Sequence, residues 1–327
     1  MPIFEKHSTS ANRQVVGRLA PSPTGAQHLG NARTYLLAWL SARSAGGRVV
    51  LRIEDIDSPR VKPWAIEQAM VDLRWLGLDW DEGPDVGGIH APYLQTERIA
   101  TYENALQRLI EFGLAYPCTC TRKDIESAAS APHESVGDSI YLDGPIYNGR
   151  CAGWRLGEPL PAEGTYCWRF RSPDRSLKIV DQFYGELELN PHQSLGDFPL
   201  TRKNGQAAYQ LAVVVDDDAM EVTEVVRGDD LIPSIFRQLP LIDALRFMRP
   251  NYFHVPLVVG PDGRRLAKRH GDTRLSQYRD SGIIPEAIIG WAAHSIGLRD
   301  TNQPIQAAEL VATFKWSNVR KTHTVVM

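Results

Sequence analysis

Gly17-Arg18-Leu19-Ala20-Pro21-Ser22-Pro23-Thr24-Gly25-Ala26-Gln27-His28-Leu29-Gly30-Asn31 joins a strand-like run to a helix-like run. Two prolines and Gly25 forbid regular structure between them. The helix opens at His28-Leu29-Gly30-Asn31 and continues through Tyr35-Leu36-Leu37-Ala38-Trp39-Leu40. Unpaired N–H groups at a helix N-terminus favour a phosphate, and Gly30 lets a base or ribose come close to the backbone. The segment therefore points to chemistry on ATP. Taken alone, His28 reads as a helix-start or core histidine.

Outward from this stretch, residues 14–20 and 47–56 read as strands on either side of the helix. Strand, helix, strand in that order is a βαβ unit and implies a parallel sheet. Helical patterns follow at 63–77 and 96–113, the second with Leu106, Leu109, Ile110 and Phe112 on its apolar face. From about 116 to 195 the texture turns to Gly, Pro, Ser and short alternating runs, which fits an inserted module of strands and loops. Ala208 to Val215 reads as a buried strand, Val222 to Val226 as another, and 234–247 as a helix. The tail from 285 reads as helical through Leu310, Phe314 and Trp316, with Gly297 ending its first helix.

The chain has 327 residues, 43% of them hydrophobic, and a net charge of -3, so it can build one large or two ordinary cores. It lacks an apolar run long enough to span a bilayer, and Met1 to Arg13 lacks the apolar core of a secretory signal. A cytoplasmic protein is expected. Asp216-Asp217-Asp218 and Asp79-Trp80-Asp81-Glu82 read as solvated acidic loops, and Arg264, Arg265, Lys268, Arg269 and His270 as a basic one. Trp75, Trp80, Trp168 and Trp291 read as packing residues.

The basic loop changes the reading of His28. Gly263-Arg264-Arg265-Leu266-Ala267-Lys268-Arg269-His270-Gly271 follows the strand-like Val255 to Val259. A lysine on such a loop can neutralise charge developing on a triphosphate. Together, His28-Leu29-Gly30-Asn31 and Arg265-Leu266-Ala267-Lys268-Arg269 resemble the HIGH and KMSKS signatures of class I aminoacyl-tRNA synthetases. The more detailed similarity is to the glutamyl-tRNA synthetases, through Arg18 to Gly25, Leu51 to Asp57, Tyr209 to Ala212 with Val214 to Asp217, and Val225 to Asp230. It covers roughly residues 14–300.

The resemblance implies an α/β fold with a Rossmann-like parallel sheet in two halves, 1–115 and 196–250. It also implies an inserted acceptor-type subdomain with a zinc site at 116–195, and a KMSKS-like loop and helical segment at 251–327. It implies a glutamate pocket of Arg18, Ala20, Ser22, Glu54, Tyr209 and Arg227. ATP would be held by His28, Gly30, Asn31, Arg265, Leu266 and Lys268, with Mg2+ accompanying it and with His28 and Lys268 as the catalytic pair. Two guanidinium groups suit a substrate with two carboxylates; read without the family, Arg18 and Arg227 are equally a pair of structural salt bridges. No roles are assigned to Tyr93, Gln95 and Arg98.

Two features bear on the branch. The residues from Asp272 to Met327 are too few for a full-length member's anticodon-reading domain, typically about 100 residues or more. That resembles the shorter paralogues that activate L-glutamate without tRNA and transfer it to queuosine in the anticodon arm of tRNA(Asp), where single-stranded bases can be splayed out and read. Cys118, Cys120, Tyr147 and Cys151 resemble the structural zinc site of those paralogues. Spacing alone leaves zinc and buried thiols both open, and His133 is a substitute ligand; Cys167 reads as core. A monomer that does not bind membranes is expected. The rivals are a truncated glutamyl- or glutaminyl-tRNA synthetase charging the tRNA 3′ end, a non-catalytic RNA-binding paralogue, and a small-molecule nucleotidyltransferase.

Overall fold

The computed structural model describes residues 13–23, 25–56, 61–129, 145–263, 266 and 273–326. The chain opens with β1 (Val16–Leu19), α1 (Leu29–Ser44) and β2 (Arg48–Leu51). β1 and β2 are parallel, in register from Val16 opposite Arg48 to Leu19 opposite Leu51. The expected βαβ unit is therefore present. Leu36, Leu37 and Leu40 of α1 are fully buried, each contributing about 1.5–3 kcal/mol of transfer free energy. Gly17 permits the close approach, since a Cβ there would stand 3.0 Å from the Ala42 side chain of α1.

α2 (Pro63–Trp75) and α3 (Ile99–Glu111) follow as the periodicity predicts. Next come β3 (Ala115–Cys118), α4 (Arg122–Ala129), β4 (Cys167–Phe170), β5 (Leu177–Asp181), β6 (Gly185–Leu189), α5 (Pro191–Leu195) and β7 (Phe198–Pro199). β3, β4 and β7 form an antiparallel sheet, with Cys118 opposite Cys167 and Phe170 opposite Phe198. β5 and β6 form a hairpin whose Gln182 N–H donates to Tyr252 O at 2.8 Å.

The second half holds α6 (Tyr209–Ala219), β8 (Glu224–Gly228), α7 (Ile232–Leu245) and β9 (Asn251–Val255). β8 and β9 are parallel, and β8 lies beside β1 through the Thr223 N–H to Val16 O bond at 2.9 Å. The strands thus run in the order β2, β1, β8, β9. The run from Ala208 to Val215 is not a strand: it lies almost wholly in α6. Its valines are buried all round, and an apolar run enclosed on every side shows no periodicity that separates strand from helix. The helix also corrects the acidic reading, because Asp216 and Asp217 are buried rather than solvated. Glu82 and Trp80 are buried too, whereas the Asp79 and Asp81 side chains are exposed.

β10 (Val258–Val259), α8 (Leu275–Asp280), α9 (Pro285–Ser295), α10 (Ala307–Leu310) and β11 (Thr324–Val325) complete the order. Gly297, with φ of +83°, follows the end of α9. Beyond Leu310 the tail forms two short 3-10 turns rather than the expected longer helix. Its end returns to the core: β11 pairs in parallel with β10, and Arg33 of α1 donates to Thr324 Oγ1 at 2.7 Å and to Pro256 O.

Candidate functional site

His28 is the N-cap of α1, and its Nδ1 accepts the Gly30 N–H at 3.1 Å. The Asn31 carboxamide oxygen accepts the His28 N–H at 3.2 Å in return, a reciprocal capping arrangement. With Nδ1 an acceptor, the neutral ring carries its proton on Nε2. The residues on either side of the basic loop pack against this turn. A Cβ on Gly30 would stand 3.5 Å from the Val258 side chain, Leu29 N–H donates to Thr273 O at 3.1 Å, and Leu275 N–H donates to Gln27 O at 2.9 Å. The His28 turn and the segments flanking the basic loop thus share one wall. Arg265 and Lys268, as well as the basic residues Arg264, Arg269 and His270, lie outside the described residues. The Leu266 side chain is buried in the core and its N–H donates to Val258 O at 3.1 Å, so it contributes packing.

Beside this turn, at the C-terminal ends of β1, β2 and β8, charged side chains converge. Arg18 is buried, donates from Nη1 to Val226 O at 3.0 Å and lies 3.7 Å from Asp217. Burial lowers its pKa, opposed by Asp217. Glu54 lies just beyond β2, and burial pushes its carboxyl above the usual range, opposed by Arg52 and Arg18. Tyr209 opens α6 within electrostatic reach of Arg227, Glu54 and Arg18, and burial raises its phenol pKa. Ala20 is partly buried and Ser22 exposed on the turn between them.

Arg52 ties these residues together. It is 0% exposed, donates to Asp217 Oδ1 at 2.7 Å and to Glu54 Oε1 at 3.0 Å, and lies 3.7 Å from Asp216. Asp216 in turn accepts from Arg98 at 2.6 Å, Gln95 at 2.8 Å and the Tyr102 hydroxyl at 2.9 Å. Gln95 and Arg98 are thus structural braces, and Tyr93 donates to buried Glu82 at 2.7 Å.

Arg227 is held differently. It is 4% exposed, yet no carboxylate among the described residues lies within ion-pair distance of it. Its Nε donates to His254 Nε2 at 2.9 Å, its Nη1 to Gln238 Oε1 at 2.9 Å, and Tyr252 lies under it at 5.2 Å. A buried cation with only neutral partners is costly unless an anion joins it. The salt-bridge alternative thus fits Arg18 in part and does not fit Arg227.

Away from this pocket, the Sγ atoms of Cys118, Cys120 and Cys151 all lie within 4.8 Å of one another. Cys120 and Cys151 Sγ are 3.7 Å apart, close to the edge of about 3.8 Å that a tetrahedron of thiolates at ~2.3 Å from zinc would have. The Tyr147 hydroxyl oxygen is 3.4 Å from Cys118 Sγ and 3.8 Å from Cys120 Sγ, and it accepts the Cys151 N–H at 2.8 Å. The three thiols could hold a metal ion with the Tyr147 hydroxyl beside them, and the chemistry of such donors suits zinc. Cys167 is buried as expected, but it also hydrogen-bonds Cys118, which is the largest influence pulling that thiol down to about 4. The Arg169 guanidinium lies 4.1 Å over the Tyr147 ring. His133 lies outside the described residues.

The family described as tRNA synthetases class I (E and Q), catalytic domain, matches residues 14–326. The chain belongs to that family. A glutamyl-Q tRNA(Asp) synthetase of Rhodopirellula baltica is 54% identical over 326 residues, covering 95% of this chain and 96% of the relative. Another, from Symbiobacterium thermophilum, is 48% identical and covers 93% of each chain. A glutamate–tRNA ligase of Anaeromyxobacter sp. (strain K) is 38% identical, with 93% of this chain matched but only 62% of the relative. Within the class I family the chain belongs with the glutamyl-Q tRNA(Asp) synthetases. Among solved structures, the glutamate tRNA ligase of Elizabethkingia meningosepticum in complex with its amino acid superposes with a TM-score of 0.80 at 30% identity, covering 96% of this chain and 67% of that one.

In this class I synthetase, Arg18, Glu54, Tyr209 and Arg227 come together, and His28, Gly30 and Asn31 form one turn. The residues missing from the sequence reading are the braces: Arg52, Asp217, Gln238, His254, Asp181 and Arg169. Arg52 and Asp217 stood inside quoted motifs, but nothing local marks them as partners.

Proposed function

We propose that the chain activates L-glutamate with ATP, without tRNA, and transfers the glutamyl group to the queuosine base in the anticodon arm of tRNA(Asp). One observation carries the amino-acid side of this reading: Arg227 is buried without a carboxylate partner among the described residues, a site that an anionic substrate group completes. Arg18 and Arg227 hold the two carboxylates of glutamate, Glu54 receives its ammonium group, and the Tyr209 hydroxyl supplies a neutral hydrogen bond, with Ala20 and Ser22 on the turn beside them. The whole-length match to relatives named for the glutamyl-Q reaction carries the acceptor side.

The glutamate α-carboxylate attacks the α-phosphorus of ATP, pyrophosphate leaves, and glutamyl-adenylate forms. An acceptor hydroxyl then attacks the activated carbonyl and AMP leaves. No enzyme nucleophile is required; positioning and charge stabilisation supply the rate. His28 Nε2–H donates to phosphate oxygens above the α1 N-terminus, and Lys268 balances charge on the leaving pyrophosphate. Gly30, Asn31, Arg265 and the Leu266 backbone line the nucleotide. Mg2+ bound to the ATP offsets phosphate charge. Cys118, Cys120, Tyr147 and Cys151 hold a structural zinc in the 116–195 insertion, where Arg169 supplies compensating charge. The protein acts as a monomer.

The test is transfer of labelled glutamate to tRNA(Asp) with and without queuosine, beside tRNA(Glu). Labelling only of queuosine-containing tRNA(Asp) is expected. Equal labelling of both forms of tRNA(Asp), or labelling of tRNA(Glu) alone, would overturn the reading and favour 3′-end charging.

A further inference from the structure

We propose that Asp181 and His254 are positioning residues for Arg227, forming a buried chain that runs from the β5–β6 hairpin to the guanidinium and sets the direction of its fork. The proposal rests on the reading that Arg227 holds a glutamate carboxylate. Asp181 and His254 are both fully buried. Asp181 Oδ1 accepts the Phe183 and Tyr184 N–H groups at 3.0 and 2.8 Å, and Oδ2 meets His254 Nδ1 at 2.8 Å and accepts its N–H at 3.2 Å. His254 Nε2 lies 2.9 Å from Arg227 Nε.

The bonds to Arg227 and Asp181 favour one neutral tautomer, while Leu231 O, which Arg227 Nη2 reaches at 3.4 Å, also faces the ring. A guanidinium has five donors and no acceptor, so Nε2 presents its lone pair to Arg227 and the ring proton sits on Nδ1, donated to Asp181. An imidazolium would set N–H against N–H and place two cations 2.9 Å apart. The pull of Asp181 on Nδ1–H makes Nε2 a better acceptor, the same outer-shell logic that orients metal-bound imidazoles.

The arrangement solves a specific problem. A carboxylate placed directly on Arg227 would orient it, but it would also neutralise it and compete with the substrate. A neutral imidazole orients without neutralising. The Asp181 charge stands one ring further back, at the tip of a hairpin built on β9. Nε and Nη1 are bonded to His254 and Gln238, and Nη2 reaches only a long 3.4 Å contact with Leu231 O. The remaining N–H groups are left for bidentate capture of a carboxylate.

The experiment is glutamate-dependent ATP–pyrophosphate exchange by the full chain carrying His254→Leu, His254→Gln, Asp181→Asn or Arg227→Met. His254→Leu removes both bonds and is expected to raise the KM for glutamate about tenfold or more, with the KM for ATP unchanged. His254→Gln can accept from Arg227 and donate to Asp181, and is expected to recover most of that loss. Asp181→Asn should fall between them, and it decides the matter if His254→Leu is insoluble. A wild-type KM for glutamate in His254→Leu, or in Asp181→Asn, would overturn the positioning role whatever happens to thermal stability. If Arg227→Met leaves the KM unchanged, the assignment of Arg227 itself fails and the chain loses its purpose. A raised KM in Arg227→Met with none in the other variants defeats the positioning role alone.

Discussion

Arg52→Met should be among the most destabilising single changes in the first half of the chain. Arg52 is 0% exposed and donates at 2.7 Å to Asp217 and 3.0 Å to Glu54. A hydrogen bond to a charged group contributes about 1.5–3 kcal/mol, and removing one member of a buried ion pair costs about 3–5 kcal/mol because its partners remain charged and unpaired. The expected loss is thus about 4 kcal/mol, a large share of a typical ~5–15 kcal/mol. Urea unfolding followed by tryptophan fluorescence reads it, since Trp39 and Trp80 lie in the same core cluster as Leu51 and Ile53, which flank Arg52. If the stranded charge is the main cost, Arg52→Met combined with Asp217→Asn should be less destabilised than Arg52→Met alone. A loss under about 1 kcal/mol for Arg52→Met, with an unchanged urea dependence, would refute the reasoning.

His28→Ser keeps an N-cap and should leave stability near wild type, whereas His28→Ala should cost about 0.5–2 kcal/mol; both should lower exchange by about 100-fold or more, and full exchange in His28→Ser would remove its phosphate role. Burial lowers the His254 pKa from 6.5 to about 4, against the favourable pull of Asp181. Between those values the unfolded chain binds a proton that the folded chain does not, so stability should fall by about 3 kcal/mol as pH drops from 6.5 to 4 and should not change through this group above 6.5. His254→Gln should remove that component from pH-dependent urea midpoints; an unchanged profile would contradict it. Cys120→Ser should abolish zinc retention, and Arg169→Met should weaken it about 10- to 100-fold in a chelator competition, whereas equal retention by Arg169→Met would show that its place over Tyr147 is only packing.

Much of the frame was legible because its signals are local. The prolines and glycine after Leu19, the capping residues at His28 and the alternation of apolar runs specify strand, turn and helix within a few residues of each other. Residues 208–215 were misread for a related reason: burial on all sides erases the pattern that separates strand from helix, and only the packing of α6 between its neighbours decided it. That helix is also what turned an acidic run into buried partners for Arg52 and Arg98.

The sequence by itself determined the βαβ opening and the turn that leads into α1, and it marked the arginines, cysteines and tyrosine as candidates while leaving their roles open. Only the tertiary structure decided which charges meet. Arg52 pairs with Asp217, 165 positions away, Asp181 reaches His254, 73 positions away, and the Gly30 turn shares a wall with Val258. Such pairings depend on how loops close and sheets stack, and a residue's near neighbours in the chain carry no trace of them. Arg227 shows the division most clearly: the sequence marks a cation, and the fold buries it among neutral partners as far as the described residues go.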